Sequence, residues 1–494
     1  MSTPSASLPR LPVPSVRALG LAVGGAAVIG AAMAVRTPWL VLLALAGPLV
    51  AVTARPDGAT LCFAFGAYLN VPVLLARSTG VHAFTTVFVL LLLVPLAAHV
   101  LVRREALVVT PVLGLMVAFL GVLVVSAVVS GASATTAASV TGFATEGLVL
   151  YLLVTNAVRT SDMLRAIVWA LLIAGAIMGA VSVWQELTHT YRTVFGGLGQ
   201  VNVGDAAIDG GQVRPRLSGP IGEKNRYAQV LLVLLPLALW AARYERQALL
   251  RLAALGCGGF ALCGTVLTFS RGGFVALVAL VLAMLASGLL RLRHALALVL
   301  AFVAMVTIVF PGYVARLQTL QNADTAASQT SGADGAIRGR ATENLAALHA
   351  FADHPLLGVG PGEFFAREST AYANALNLRF LDTRRRAHNL YLEMAADTGL
   401  VGLLVFLTIV AATLVGLWRI AKSRDARGDP VRAALARAFA LSIFAYLVSA
   451  VFLQLAYQRY FWFLIALANS AIWVLAREAR RPSQPTGTAT ERTA

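Results

Sequence analysis

Charge is scarce in this sequence. Only 12% of its 494 residues are Asp, Glu, Lys or Arg, about half the share found in soluble globular domains. Such a chain cannot clothe a soluble surface, which excludes a soluble enzyme held by a single anchor. Cysteine is also nearly missing: Cys62, Cys257 and Cys263 all lie in apolar stretches. Their spacing gives neither a disulfide framework nor a zinc site. The short alternating segments of a membrane β-barrel are absent. The N-terminal MSTPSASLPRLPVP is polar and proline-rich. It lacks the basic–apolar–small order of a cleaved signal, so the first span is expected to be retained.

What the sequence has in abundance is long apolar runs. It is 59% hydrophobic, and many windows exceed the roughly 18 residues needed to cross a bilayer. This predicts an all-α polytopic membrane protein with about 12–14 transmembrane helices. The expected spans centre on 17–35, 38–53, 59–76, 82–102, 106–132, 141–157, 162–184, 227–241, 250–269, 272–290, 295–312, 399–418, 433–456 and 460–476. Pro48 and Pro72 interrupt two early ones.

The formal charge of +17 is not a nucleic-acid footprint, because most of it falls in short loops between spans. One set holds Arg103, Arg104, Arg159, Arg165, Arg243, Arg246, Arg251, Arg291, Arg293, Arg419, Lys422, Arg424, Arg427 and Arg432, with Arg477, Arg480 and Arg481 in the tail. The alternate short loops hold little beyond Arg36, Arg77, Arg271 and Arg459. The positive-inside rule makes the first set cytoplasmic. The organisation is then N-terminal spans over 1–184, an exterior loop 185–226 and central spans over 227–312. A large exterior loop 313–398, read as a small helical subdomain with active-site helices, precedes C-terminal spans over 399–476 and a cytoplasmic tail 477–494.

The exterior side carries four arginine-bearing sites. They are RPRLSGPIGEKNRYAQ (214–229), TFSRGG with Arg271, AIRGRATENL with Arg338 and Arg340, and RRRAHN from Arg384 to Asn389. Arginine at a membrane interface is costly and usually partnered. Its planar fork suits phosphate oxygens, and several converging from separate loops suit a diphosphate better than one carboxylate. Each also has a plainer reading. Arg271 could snorkel to headgroups, Arg384–Arg386 could meet anionic lipid, and His388 could be structural. The GVGPG turn is read as a bend before a phosphate nest. His388 gains from its setting: a helix N-terminus and neighbouring arginines disfavour imidazolium, and a neutral histidine can accept a proton.

A base beside a diphosphate grip outlines a transferase. No nucleotide sugar or ATP is available outside, so the donor must arrive through the membrane already activated, as a lipid-linked diphosphate sugar. The arginines would stabilise the departing diphosphate. No DxD-like or HExxH-like signature stands in the exterior loops, so neither metal nor cofactor is expected.

The motif order resembles the bacterial O-antigen ligase and O-antigen polymerase superfamily. The resemblance covers about residues 200–410 and rests on RLSGPIGEKNRYA (216–228), FSRGG (269–273), GRATENLAALHAFADHPLLGVGPGEF (339–364) and AHNLYLEMAADTGLVGLLVFL (387–407). It implies a GT-C-like helical membrane fold in the bacterial inner membrane, with the active site on the periplasmic or exterior face. It also implies metal-free, inverting transfer of a glycan from undecaprenyl diphosphate to an acceptor hydroxyl. Partners would be that donor, a glycan or lipid acceptor and membrane lipids, with no nucleic acid. Carried over, it puts Arg216, Arg271 and Arg340 on the diphosphate and His388 as base. Asn344 stands where the family often has tryptophan, which leaves Arg338 open beside Arg340. Arg386, Asn389 and Asn225 are secondary candidates within the same motifs. Glu363, Asp382, Glu393 and Asp397 are the alternative bases.

Ligase and polymerase differ only in acceptor, and the motifs serve both. A lipid-linked sugar flippase is the alternative of another class. It should place cations in a central cavity between inverted repeats, whereas the charge here is one-sided. The sidedness is testable. In a background lacking the native cysteines, Asp205→Cys and Thr330→Cys should label from outside with an impermeant maleimide. Asp425→Cys should not; labelling there in intact spheroplasts reverses the orientation.

Overall fold

The computed structural model describes residues 52–79, 89–209, 212–304, 332–375, 386–454 and 459–480. The protein is an all-α polytopic membrane protein. Among the described residues eight helices are long and apolar enough to cross a membrane, or nine if one bent pair counts as a span. The expected span at 17–35 and nearly all of that at 38–53 lie outside the described residues, as do parts of those at 82–102 and 295–312.

The described residues begin with the bent pair α1 (Pro56–Tyr68) and α2 (Val71–Thr79), which turns through 64°. There follow a short α3 (Leu93–Val102), α4 (Pro111–Val129), α5 (Ala134–Ala157) and α6 (Ser161–Thr188). A two-stranded antiparallel hairpin, β1 (Val201–Asp209) and β2 (Gln212–Leu217), lies in the first long loop, where no strand was expected. Next come α7 (Lys224–Tyr244), α8 (Ala248–Leu267), α9 (Arg271–Ala286) and α10 (Leu292–Ala304). The second long loop supplies α11 (Gly332–Asp353) and α12 (Ser369–Ala375). The chain closes with α13 (Leu390–Ala426), α14 (Pro430–Ala450) and α15 (Arg459–Arg480). With 16 residues, α9 is about 24 Å long, short of a full span.

The short basic loops gather at one end of the bundle. There Arg159 donates to Glu105 and to Asn156 at 2.9 and 2.8 Å. Arg165 and Trp169 both reach the buried Glu245, and Arg432 pairs with Glu478 at 2.9 Å. These bonds give arginines carboxylate partners where helices meet. The described parts of both long loops gather at the other end.

At that second end the structure departs from a simple bundle. A continuous α13 would pair Leu400 N–H with Ala396 O, and Val401 N–H with Asp397 O. Instead Gly399 takes φ 66° and ψ −167°, and the segment 355–360 enters the break. Leu400 and Val401 donate to Pro355 O and Leu356 O at 2.7 and 3.3 Å, while Val359 and Gly360 donate to Ala396 O and Asp397 O at 2.8 and 3.0 Å. Four bonds to the inserted segment thus satisfy groups that a broken helix would leave bare in an apolar setting. Ser126 of α4 adds a hydroxyl donated to Leu357 O at 2.7 Å. The insertion works only with glycine at its closest point. A Cβ on Gly358, at φ +69°, would lie 2.4 Å from Asp397 C and Thr398 N.

Gly358→Ala should therefore cost more than about 2 kcal/mol and lower the unfolding midpoint in detergent. Gly428→Ala is the control. It has a similar φ of +67° but nothing within 4 Å of the added Cβ, so it should cost only about 1 kcal/mol. Equal losses would remove the steric account.

Candidate functional site

Two groups of side chains face each other at the loop end. The first is built around the tight turn from α8 to α9. Phe269 sits buried there at φ +50°, a conformation that costs energy for a non-glycine residue. The turn is therefore fastened from several sides. Arg216 of β2 donates Nε–H to Thr268 O at 3.1 Å and Nη2–H to Phe269 O at 2.8 Å. Ser270 caps α9 by accepting from Gly273 N–H at 3.1 Å. Its hydroxyl donates to Asn225 Oδ1 at 2.8 Å. Asn225 in turn donates to Glu223 at 3.0 Å, and Glu223 caps α7 by accepting from the backbone of Asn225 and Arg226. Arg271, the first residue of α9, is delivered half-buried by this lattice.

The second group belongs to the helical part of the second long loop and the start of α13, whose small core is Ala346, Ala347, Ala350, Val359, Phe364, Ala387 and Ala396. Helix α13 begins one residue after Asn389, whose Oδ1 accepts from Tyr391 and Leu392 N–H at 2.9 and 3.2 Å. The arginine–histidine run was expected to open a helix; from Arg386 to Asn389 it is instead the non-helical lead-in. Arg384, Arg385 and Asp382 lie outside the described residues, and so does the side chain of Arg338. Arg340 is half-buried on α11. Three residues on, hence on the same helical face, stands Glu343, which contacts Nδ1 of His388.

Arg386 does not stand free for lipid. It donates to Glu393 Oε1 at 3.1 Å and stacks 4.7 Å over the Phe365 ring. The Arg226 guanidinium also lies within electrostatic reach of Glu393. Glu393 is buried, so this carboxylate and its two arginines join the α7–α9 group to the second group. Asp397, the other carboxylate on the same face of α13, accepts from Phe364 N–H at 3.2 Å. It serves the inserted turn. Glu363 likewise accepts from Ser133.

Sequence reasoning missed Glu343 and the linking part of Arg226. A signal for the first was present. Glu343 precedes the buried Ala346, Ala347 and Ala350 by three, four and seven residues, so a carboxylate stands on the apolar stripe of α11.

Residues 257–407 match the family described as O-antigen ligase, Wzy_C. Over that segment the chain is similar to this family. No curated protein matches it. The ligase segment takes in Arg271, Arg340, Glu343 and His388; Arg216, Asn225 and Arg226 stand before it. The ligase domain's arginine turn is thus fastened by the loop that precedes it.

Arg216→Lys separates fastening from charge. A lysine ammonium cannot reproduce the fork across two carbonyls. The variant should lose about 1–2 kcal/mol of stability, read as a lower unfolding midpoint. An unchanged midpoint would mean that the turn holds without Arg216.

Proposed function

We propose that this protein transfers a glycan from undecaprenyl diphosphate to an acceptor hydroxyl on the exterior face of the bacterial inner membrane. The observation that carries the reading is the gathering of a partly exposed imidazole and several guanidinium groups at one end of a membrane bundle. They come from separate segments: β2, the α8–α9 turn, α11 and the lead-in to α13. Glycan donors that reach that face are lipid diphosphates, which fork-shaped guanidinium groups suit.

In this reading Arg271 and Arg340 grip the diphosphate, and Arg216 adds its charge while bracing the turn. Arg340 is preferred to Arg338 because it shares a helical face with Glu343, the partner of His388. The acceptor oxygen forms a bond to the anomeric carbon on the face opposite the diphosphate, inverting the configuration. The bond from that carbon to the diphosphate oxygen breaks, and its electron pair leaves with the diphosphate. His388 takes the acceptor proton. Neutralisation by arginine replaces the role a metal would have.

The test uses purified protein, a glycan on undecaprenyl diphosphate and two acceptors, a lipid-core glycan and a second lipid-linked repeat unit. Free undecaprenyl diphosphate and the elongated product are scored. Transfer to the first acceptor marks a ligase, and to the second a polymerase. His388→Ala should lose roughly a hundred- to ten-thousand-fold in rate while donor binding stays nearly intact. Lysine at 271 or 340 should weaken donor binding and transfer together, and chelators should change neither. If His388→Ala keeps more than about a tenth of the rate, the base lies elsewhere.

A further inference from the structure

We propose that Glu343 is a positioning residue for proton transfer, holding the His388 imidazole by Nδ1 so that Nε2 is the atom that takes the acceptor proton. This deepens the reading of His388 as base and rests on it.

The geometry is specific. Glu343 lies 45 residues before His388 and reaches it only because α11 packs against the start of α13. Its side chain is 1% exposed, whereas that of His388 is 29% exposed. The carboxylate therefore approaches from the protein side and leaves the rest of the ring towards the open face. In this proposal, with the carboxylate as acceptor, the shared proton sits on Nδ1 and the Nε2 lone pair is left available. Among the described residues no hydrogen bond reaches Nε2.

Packing does not account for Glu343. It stands in line with buried alanines on α11, where an apolar residue would cost less than a carboxylate. Its position suits a second task instead. Arg340 and Glu343 lie on one face of one helix, about 4.5 Å apart along its axis. A single rigid element then sets the separation between the diphosphate grip and the base.

The step balances as follows. The acceptor O–H proton passes to Nε2 as the acceptor oxygen bonds to the anomeric carbon. The C–O bond to the diphosphate breaks with its electron pair leaving on the diphosphate. The imidazolium so formed keeps its Nδ1–H bond to Glu343, whose negative charge offsets it.

The test compares Glu343→Leu, which fits the apolar stripe, with Glu343→Gln, which keeps a polar partner and removes the charge. Both are made in the full chain in lipid nanodiscs. Glu343→Leu should lower kcat about a hundredfold or more, with the KM for the undecaprenyl-diphosphate donor unchanged within about twofold. Glu343→Gln should fall between it and wild type. Histidine ¹⁵N NMR gives a readout independent of turnover. The His388 resonance, identified by its loss in His388→Gln, should report an Nδ1–H ring in wild type. In Glu343→Leu it should shift towards the Nε2–H form. Should Glu343→Leu fail to fold, Glu343→Gln carries the same comparison of kcat with KM. Near-wild-type kcat in the folded variants, or a tautomer that does not respond, overturns the proposal. If His388→Ala is inactive while both Glu343 variants are fully active, only the positioning role falls. If His388→Ala is also active, the role of His388 as base falls with it.

Discussion

The break in α13 at Gly399 is the constraint on which the candidate site depends. A helix interrupted at the membrane end exposes backbone groups that lipid cannot satisfy. Here Pro355 to Gly360 fill the gap, with four backbone bonds in place of two helical rungs. That exchange fixes the end of α11 to the start of α13. Glu343 and Arg340 ride on α11, and His388 precedes α13, so their mutual placement follows from the insertion. The glycines of LLGVGPGEF follow from it as well: Gly358 must approach the Asp397–Thr398 peptide without a Cβ.

The same economy governs the other half. The α8–α9 turn has a buried phenylalanine at positive φ and carbonyls at the end of an apolar helix. Arg216 supplies donors to two of them, and Asn225 anchors the serine that caps α9. Fastening the turn from outside explains why residues 216–228 resemble the superfamily although the ligase match begins only at residue 257. They are the scaffold of Arg271.

Much of this architecture was legible in the sequence, and the reasons are physical. Membrane spans announce themselves by length and hydropathy, and the basic short loops do gather at one end. Asn389 and Ser270 stand as caps at the starts of helices that apolar periodicity marks. What periodicity cannot convey is a segment inserted into a helix, because Gly399 interrupts neither the apolar run nor its spacing. The hairpin at 201–217 was hidden because one short pair of strands leaves a weak pattern in a polar loop. Glu343 was legible and passed over. The glycines and the histidine stand out by residue type, and a lone acid on an alanine stripe does not.

The crowding of arginine at the mouth of α13 resolves into separate tasks. Arg386 is committed to Glu393 and to the Phe365 ring, and Arg216 to the turn carbonyls. Neither can move far towards a ligand without uncovering a buried partner, a carboxylate in one case and backbone oxygens in the other. They act best as fixed positive charge, preorganised around the space where negative charge would develop. Arg340 has no hydrogen bond or ion pair among the described residues. It can close on an anion without giving up a native contact. A site built from fixed and mobile cations together would bind its donor through the mobile ones. It would stabilise the departing diphosphate through all of them, so the fixed arginines bear more on rate than on affinity.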